Sequence, residues 1–214
     1  MRFSQTVFCL ALAGTVVPAA LATGVTYTIT ADTSSISGKS GYLDLQLEPG
    51  PSMTNLVMAG VGQFATTGTL SGTATLTGDA TGQLPSALSF DNQAVFNDYF
   101  QAMQFGATLS FKVTLNGPTP LGGSASAFNI GFYGADGSTP LLSSSPDGIA
   151  GQILINPDGS TMAVDYAGQA LSVSSAPESS SWMLIMSGLV AAFLFALAAR
   201  RKRIEGGSFA DPRG

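Results

Sequence analysis

The sequence predicts an all-β domain, an antiparallel two-sheet β-sandwich of the jelly-roll or Greek-key type, between two accessory ends. Three observations indicate this fold. Apolar and polar residues alternate with period two in several short segments, Asp-Gly turns recur between them, and the segments follow one another without clear helices. Short strands arranged in this way connect by hairpins and arches and pair into two sheets packed face to face.

The predicted strands differ in how clearly they alternate. In GYLDLQLE three leucines, from Leu43 to Leu47, occupy one face and four polar residues, from Tyr42 to Glu48, occupy the other, as in a strand with one buried face. The segments TLSFKVTL and AFNIGFY repeat this pattern. Further strands are predicted for VTYTIT, TLSGTATLT, QILIN, TMAVDYA and ALSVS, which begin at Val25, Thr69, Gln152, Thr161 and Ala170. In residues 92–105 the apolar spacings of three and four favour either a short helix or an irregular strand.

Asp-Gly pairs mark several of the chain reversals. They begin at Asp136, Asp147 and Asp158, eleven residues apart, a spacing typical of short strands in a sandwich or barrel. Asn116-Gly117-Pro118 marks another turn. A calcium loop concentrates alternate acidic ligands, whereas each Asp-Gly turn carries one acid, so these aspartates are predicted to form turns.

The first 22 residues have the three parts of a secretory signal peptide. Arg2 gives a positive start, an apolar run follows, and the small residues Ala20 and Ala22 stand at −3 and −1 of a cleavage site. The prediction is therefore a signal peptide over residues 1–22 and an exported ectodomain over 23–174. Cleavage removes Cys9, the only cysteine, so the ectodomain has no disulfide and depends on its hydrophobic core.

The ectodomain is strongly acidic. Residues 23–176 contain ten Asp and Glu residues and two lysines, a formal charge of −8, although the whole chain carries only −5. Binding to nucleic acid or to anionic lipid surfaces needs basic patches. This charge balance therefore argues against both kinds of partner for the ectodomain.

The C-terminal region predicts one membrane span. Residues 182–199 form an eighteen-residue run without a charge, and at ~1.5 Å per residue such a helix nearly matches a hydrocarbon core of about 30 Å. Trp182 suits the outer interface. The basic cluster at the other end marks the cytoplasmic side and consists of Arg200, Arg201, Lys202 and Arg203. Residues 204–214 are then a cytoplasmic tail, with the ectodomain outside.

A short motif precedes this span. Pro177 and Glu178 are followed by three serines that begin at Ser179, then by Trp182, the apolar run and the basic cluster. These elements, in this order near the C-terminus, resemble the PEP-CTERM sorting signal of exosortase substrates. The signal covers residues 175–203, its motif covers 177–182, and Ser179 stands where the family has a second proline. A serine-rich linker before an ordinary anchor is the alternative interpretation.

The ectodomain also resembles a recurring ectodomain type of PEP-CTERM proteins. The similarity lies in the phrases SGKSGYLDLQLEPG, FNDYFQAMQFGATLSFKVTL and GSTPLL. The resemblance implies export across the inner membrane of a Gram-negative envelope, with a single-pass intermediate and a final location at the cell surface or in the extracellular matrix. It implies an exosortase-like membrane transpeptidase or protease as a transient partner, and exopolysaccharide as a further one.

The usual catalytic groups are scarce. The chain has no histidine and the ectodomain no cysteine, which excludes Ser-His-Asp and Cys-His nucleophiles and His-based zinc sites. Glycoside hydrolysis needs two carboxyl groups about 5 to 9.5 Å apart. Asp44 and Glu48 lie roughly 13 Å apart along one strand, which is a poor fit. Asp91 with Asp98, or carboxylates from different strands, stay open. No catalytic, cofactor-binding or metal-binding residue is predicted.

These observations favour a non-enzymatic, exported structural or adhesive protein. The alternatives are a carbohydrate-binding module associated with exopolysaccharide and, behind it, a glycan-active enzyme. A sheet-face groove with exposed tyrosines would favour the binding module, and two facing carboxylates in a cleft would favour the enzyme. The tyrosines available for stacking on sugars are Tyr27, Tyr42, Tyr99, Tyr133 and Tyr166.

Overall fold

A computed structural model describes residues 24–52, 56–116, 123–175, 188–190 and 192–193. Residues 24–175 form an all-β, sandwich-like domain of two antiparallel sheets, as predicted from the alternating pattern. In chain order the strands are β1 (Val25–Asp32), β2 (Ser40–Glu48), β3 (Met58–Thr66), β4 (Thr69–Leu70), β5 (Thr75–Thr77), β6 (Thr81–Gln83), β7 (Ala87–Asp91), β8 (Asp98–Gln104), β9 (Thr108–Asn116), β10 (Ser126–Gly134), β11 (Pro140–Leu141), β12 (Ile149–Ile155), β13 (Thr161–Asp165) and β14 (Leu171–Ser175). Two single 3₁₀ turns cover Ser34–Ile36 and Gly168–Ala170.

The chain crosses repeatedly between the two sheets. Sheet A has six strands in the order β14-β1-β9-β3-β7-β6. Sheet B has eight strands, with the order β13-β12-β10-β2-β8-β4, while β11 pairs with β10 and β5 pairs with β8. The strands β1, β2, β3, β8, β9 and β10 occupy the middle positions of the sheets and alternate between them. Consequently the central strand of sheet B, β2, pairs with β8 and β10, which are distant in sequence.

The inward faces of the sheets form one hydrophobic core between Tyr27 and Leu171. Leu43, Leu45 and Leu47 are fully buried, as the alternation predicts. The matching positions of β9 and β10 are buried as well and include Leu109, Phe111, Val113, Phe128, Ile130 and Phe132. A sandwich of this size without disulfides is held together by the burial of such side chains, at about 25 cal/mol per Å² of apolar surface.

The Asp-Gly turns are confirmed. Gly137, Gly148 and Gly159 have φ angles of 70°, 79° and 84°, in the left-handed region that glycine adopts at little cost. The Asp136 carboxylate accepts hydrogen bonds from the backbone of Ser138 and Thr139 and from the Thr139 hydroxyl. These bonds lower the pKa of Asp136 to about 2, because they favour the ionised carboxylate.

Two segments differ from their simplest predictions. Residues 98–104 form strand β8, so the helical interpretation of 92–105 is wrong. Phe100 faces outward from the strand, and Val95 and Phe96 are exposed in the loop before it. These apolar residues therefore do not share one buried face, although their spacing in the sequence resembles that of a helix. The single strand predicted from Thr69 is divided into β4 and β5, since Gly72 between them has a φ of 63°.

The predicted signal peptide, sorting motif, basic cluster and cytoplasmic tail lie outside the described residues. Within the predicted span, residues 188–190 and 192–193 are helical. None of the helices in the described part of the chain is long and apolar enough to cross a membrane.

Candidate functional site

The outer face of sheet B carries a row of polar side chains that runs across four strands. The strand register places Gln152 opposite Asn129, Asn129 opposite Gln46, and Gln46 opposite Asp98. We call these four residues the polar row. Because strands lie about 4.8 Å apart, the row extends for roughly 14 Å across β12, β10, β2 and β8.

Hydrogen bonds connect part of this row. The Gln152 Nε2 group donates to Asn129 Oδ1 over 2.9 Å, and the Gln46 Nε2 group donates to Asp44 Oδ2 over 2.8 Å. The Asn129 Nδ2 group is buried and has no hydrogen-bond acceptor among the described residues. Amide side chains both donate and accept hydrogen bonds, so they can pair with hydroxyl groups that act as donors or as acceptors.

Three aromatic rings lie beside the polar row. Tyr42 and Phe100 stack, with ring centroids 4.4 Å apart and planes inclined by 13°. The Tyr133 ring lies 6.2 Å from that of Phe100 at 47°. All three side chains are half-buried, and we call them the aromatic cluster. They present ring surface on the outer face of the sheet.

Gly131 makes room for one of these rings. A Cβ atom at this position would lie 2.7 Å from Tyr133 Cε2, which means that the ring passes across the glycine. The pairing of β10 with β12 shifts register between Ile130 and Gly131. Such bulges redirect side chains. Here the glycine and the bulge together allow Tyr133 to lie next to Asp44.

Asp44 and Asp98 form a buried carboxyl pair within this face. Asp44 is opposite Phe100 and Asp98 is opposite Gln46, so the two acids are diagonal neighbours on β2 and β8. Their side chains are 5 % and 9 % exposed and interact strongly enough to shift each other's pKa. The Oδ1 atom of each carboxyl group is buried and has no hydrogen-bond partner among the described residues. A proton held between the two carboxyl groups would provide the missing donor.

Burial determines the protonation of this pair. It raises the pKa of Asp44 to about 9, and the hydrogen bond to Asp98 and the negative charges of Asp98 and Glu48 contribute to the rise. Burial also raises the pKa of Asp98, although the hydrogen bond from Asp44 opposes this shift. Both pKa values are raised, so the pair favours holding one proton between its two carboxyl groups at neutral pH. With one proton the pair carries about one negative charge.

The same charges act on Tyr133. Burial raises the pKa of the Tyr133 hydroxyl, and the negative charges of Asp44, Asp98 and Glu48 raise it further. A shallow depression of about 160 Å³ adjoins the other end of the aromatic cluster and is lined by Ser40, Gly41, Tyr42, Ser71, Ala102, Met103 and Ala135.

The carboxylate pairs suggested by the sequence do not form. Asp44 pairs with Asp98 rather than with Glu48, and Asp91 lies at the end of β7 in the other sheet. The Asp91 carboxylate instead accepts a hydrogen bond from the Gln93 backbone. Asp44 was expected to face water with the other polar residues of β2; it lies on that face, but its neighbours bury it.

The five tyrosines have different environments. Tyr99 is a core residue whose hydroxyl donates to Gln101 Oε1 and accepts from the Leu84 backbone. Tyr27 is buried, and its hydroxyl lies 2.6 Å from Thr161 Oγ1. Tyr166 follows β13 and is half-buried. Only Tyr42 and Tyr133 belong to the aromatic cluster, and Phe100, which the sequence did not single out, lies between them.

The described residues contain no group of three or more Asp, Glu, His or Cys side chains that could hold a metal ion. At Asp136 and Asp158 the carboxylates accept hydrogen bonds within their own turns. Asp147 lies in a turn of its own, in which Gly148 donates to the Ser145 carbonyl.

The fold and this face define the described chain as a two-sheet antiparallel β-sandwich with a polar and aromatic sheet surface. No family model, no curated protein and no solved structure matches the chain. A function for the chain must therefore be inferred from the residues of this face.

Proposed function

We propose that this chain is an exported, non-enzymatic surface or matrix protein whose ectodomain binds polysaccharide on the outer face of sheet B. The observation that supports this proposal is the aromatic cluster beside the polar row. The cluster offers apolar ring surface, and the half-buried Gln46 and Gln152 of the row offer amide groups for hydroxyls. Small-ligand sites combine apolar and aromatic surface with a few placed polar groups in the same way.

The dimensions of the face favour an extended ligand. The polar row crosses four strands, and the aromatic cluster follows it at neighbouring positions of the same strands. A chain of sugars lying across the strands would meet amides on one side and rings on the other. The buried Asn129 Nδ2 group lacks an acceptor among the described residues, which ordinarily costs about 1–3 kcal/mol and supports the presence of a partner in the bound state.

The carboxyl pair argues for binding rather than glycoside hydrolysis. Retaining and inverting glycosidases hold their two carboxyl groups roughly 5 to 9.5 Å apart, on either side of the scissile bond. Asp44 and Asp98 instead are diagonal neighbours on adjacent strands, and both side chains are buried. A glycosidic bond cannot enter between two buried carboxyl groups. A non-enzymatic role is therefore the better proposal.

Delivery of the ectodomain belongs to the same proposal. The motif Pro177-Glu178, the apolar run from Trp182 and the basic cluster beginning at Arg200 support sorting by an exosortase-like membrane enzyme. The alanines at 20 and 22 support signal-peptide cleavage. The ectodomain would pass through a single-pass inner-membrane intermediate before reaching the surface or matrix. The alternation of the chain between sheets supports a jelly-roll-like variant of the sandwich.

Binding can be tested by affinity electrophoresis of the full chain in non-ionic detergent through gels containing soluble polysaccharides. Replacing Tyr42 and Tyr133 by alanine should abolish retardation, because each loses a ring from the aromatic cluster. Tyr166→Ala is the matched control, since this tyrosine lies outside the cluster. Equal retardation of the double variant and the control would refute the site.

Sorting can be tested in the native host. Changing Pro177 and Glu178 to alanine should leave a longer, inner-membrane-bound form, whereas the unchanged protein is processed and relocated. The same longer form should accumulate when the exosortase gene is deleted. If the unchanged protein and the variant are both full-length and membrane-bound in every background, the segment is only an anchor.

A further inference from the structure

We infer that the outer face of sheet B selects polysaccharides with free amino groups, such as de-N-acetylated hexosamine polymers, over neutral and acidic ones. This inference rests on the proposed function and specifies its ligand class. It follows from the charges around the aromatic cluster, from the distribution of cations and from the chemistry of the exposed rings.

Negative charge is concentrated on this face. Asp44 lies opposite Phe100, and a Cβ atom at Gly131 would lie 2.7 Å from the Tyr133 ring and 3.4 Å from the Asp44 Cβ, so the carboxyl pair adjoins the aromatic cluster. At neutral pH the pair retains one negative charge, and Glu48 supplies a second at a half-buried position on the same face of β2. Glu48 is also accessible enough to contact a ligand directly.

The cations of the ectodomain lie elsewhere. Its two lysines are Lys39, exposed just before β2, and Lys112, on β9 of sheet A. Lys39 and Glu48 stand at opposite ends of β2, roughly 30 Å apart at ~3.3 Å per residue. That distance exceeds the Debye length of about 8–10 Å in physiological salt. The negative charge of the face is therefore not compensated by either lysine.

Aromatic rings beside carboxylates form a suitable environment for an ammonium group. A cation over the face of a tyrosine or phenylalanine ring is attracted by the ring quadrupole, and a nearby carboxylate adds a charge-assisted hydrogen bond. Tyr133 and Phe100 supply the rings beside the charged carboxyl pair, and Glu48, roughly 13 Å further along β2, supplies a carboxylate for an amino group on another sugar of the same polymer. The carboxylates of uronic acids, and sulfate or phosphate substituents, would be repelled by the same charges.

The inference can be tested with glucosamine oligomers, their fully N-acetylated counterparts and oligouronates of equal length. At pH 6 and low salt, the full chain in non-ionic detergent should bind the glucosamine oligomer about tenfold more tightly than the acetylated one. The preference should decline as salt is added. Binding of the oligouronate should be the weakest of the three.

Charge variants make the test specific. Glu48→Gln should reduce the preference severalfold, and so should the double variant Asp44→Asn with Asp98→Asn, which removes the charge of the pair. Asp44→Asn alone should retain it, because the pair already holds one proton and asparagine at position 44 leaves the remaining charge on Asp98. Asp158→Asn removes a surface charge from a distant turn and is the matched control. Near-ultraviolet circular dichroism verifies that each variant is folded.

The outcomes separate the two proposals. Equal affinity for the amino and acetylated oligomers would overturn the amine selectivity, and a preference that survives in both charge-removing variants would overturn its origin in these carboxyl groups. Either result leaves polysaccharide binding intact. Failure to bind any oligomer at millimolar concentration would overturn both.

Discussion

Replacing Asp44 by asparagine should stabilise the β-sandwich domain, and the gain should be larger at pH 8 than at pH 5. The folded state raises the pKa of Asp44 from an ordinary value of 3.8 to about 9, mainly through burial. Between these values the folded protein holds a proton that the unfolded chain has released. The stability that Asp44 contributes is therefore fully present below pH 3.8 and is lost as the pH rises towards the folded-state pKa of about 9.

The magnitude follows from proton linkage. One such group changes the free energy of unfolding by about 1.4 kcal/mol per pH unit, which sets a ceiling of roughly 4 kcal/mol between pH 5 and pH 8. Because Asp44 shares its proton with Asp98 and the surroundings relax, we expect a loss of about 1–3 kcal/mol. Asparagine keeps the shape, accepts the Gln46 hydrogen bond and donates to Asp98 without titrating. The difference in free energy of unfolding between the variant and the unchanged protein should therefore grow by this amount between pH 5 and pH 8.

Urea denaturation of the full chain, followed by circular dichroism at several pH values, measures this difference. The range should begin at pH 5, because the lowered pKa of Asp136 adds stability that is lost only as the pH falls from 3.8 towards 2. Asp158→Asn is the control and should leave the slope between pH 5 and pH 8 unchanged, since the ionised Asp158 does not titrate there and asparagine forms the same turn. Parallel stability profiles for the unchanged protein and Asp44→Asn would refute the shared proton.

Two further predictions concern the aromatic cluster. In a double-mutant cycle, Tyr42→Ala and Phe100→Ala should show a coupling of about 0.5–1.5 kcal/mol in urea denaturation, because the rings stack at 4.4 Å; additive effects would contradict the stack. Gly131→Ala should destabilise the protein by about 1–3 kcal/mol and weaken polysaccharide binding, since its Cβ would lie 2.7 Å from the Tyr133 ring. Gly60→Ala, where a Cβ meets nothing closer than 3.9 Å, is the control, and equal effects of the two substitutions would argue against this role of Gly131.

The sequence predicts the fold class because alternation is a local property. Strands β2, β9 and β10 have strictly alternating apolar residues, and their inward positions are buried as expected. Strand β8 was ambiguous, since its outward Phe100 interrupts the alternation. Strand β7 has the same alternation in ALSFD, with Leu88 and Phe90 buried, but is only five residues long and was not singled out.

The site could not be predicted in the same way. The pairing of Asp44 with Asp98, and the alignment of Gln46 with Asn129, depend on the register between strands that are far apart in sequence. Residue spacing along one strand contains no information about that register. The sequence does indicate that the polar residues of β2 face outward. The alternation in β10 likewise places Asn129 on the outward face, between the inward Phe128 and Ile130. The position of Tyr133 depends on Gly131 and the bulge.

Nuclear magnetic resonance titration of the isotope-labelled full chain with a glucosamine oligomer shows directly whether the outer face of sheet B binds polysaccharide. The side-chain amide signals of Gln46, Asn129 and Gln152 and the ring signals of Tyr42 and Tyr133 should shift together and saturate with one dissociation constant. Lys112 and the other outward residues of sheet A should not respond. Saturable shifts confined to sheet A, or no shifts at millimolar oligomer, would contradict the account.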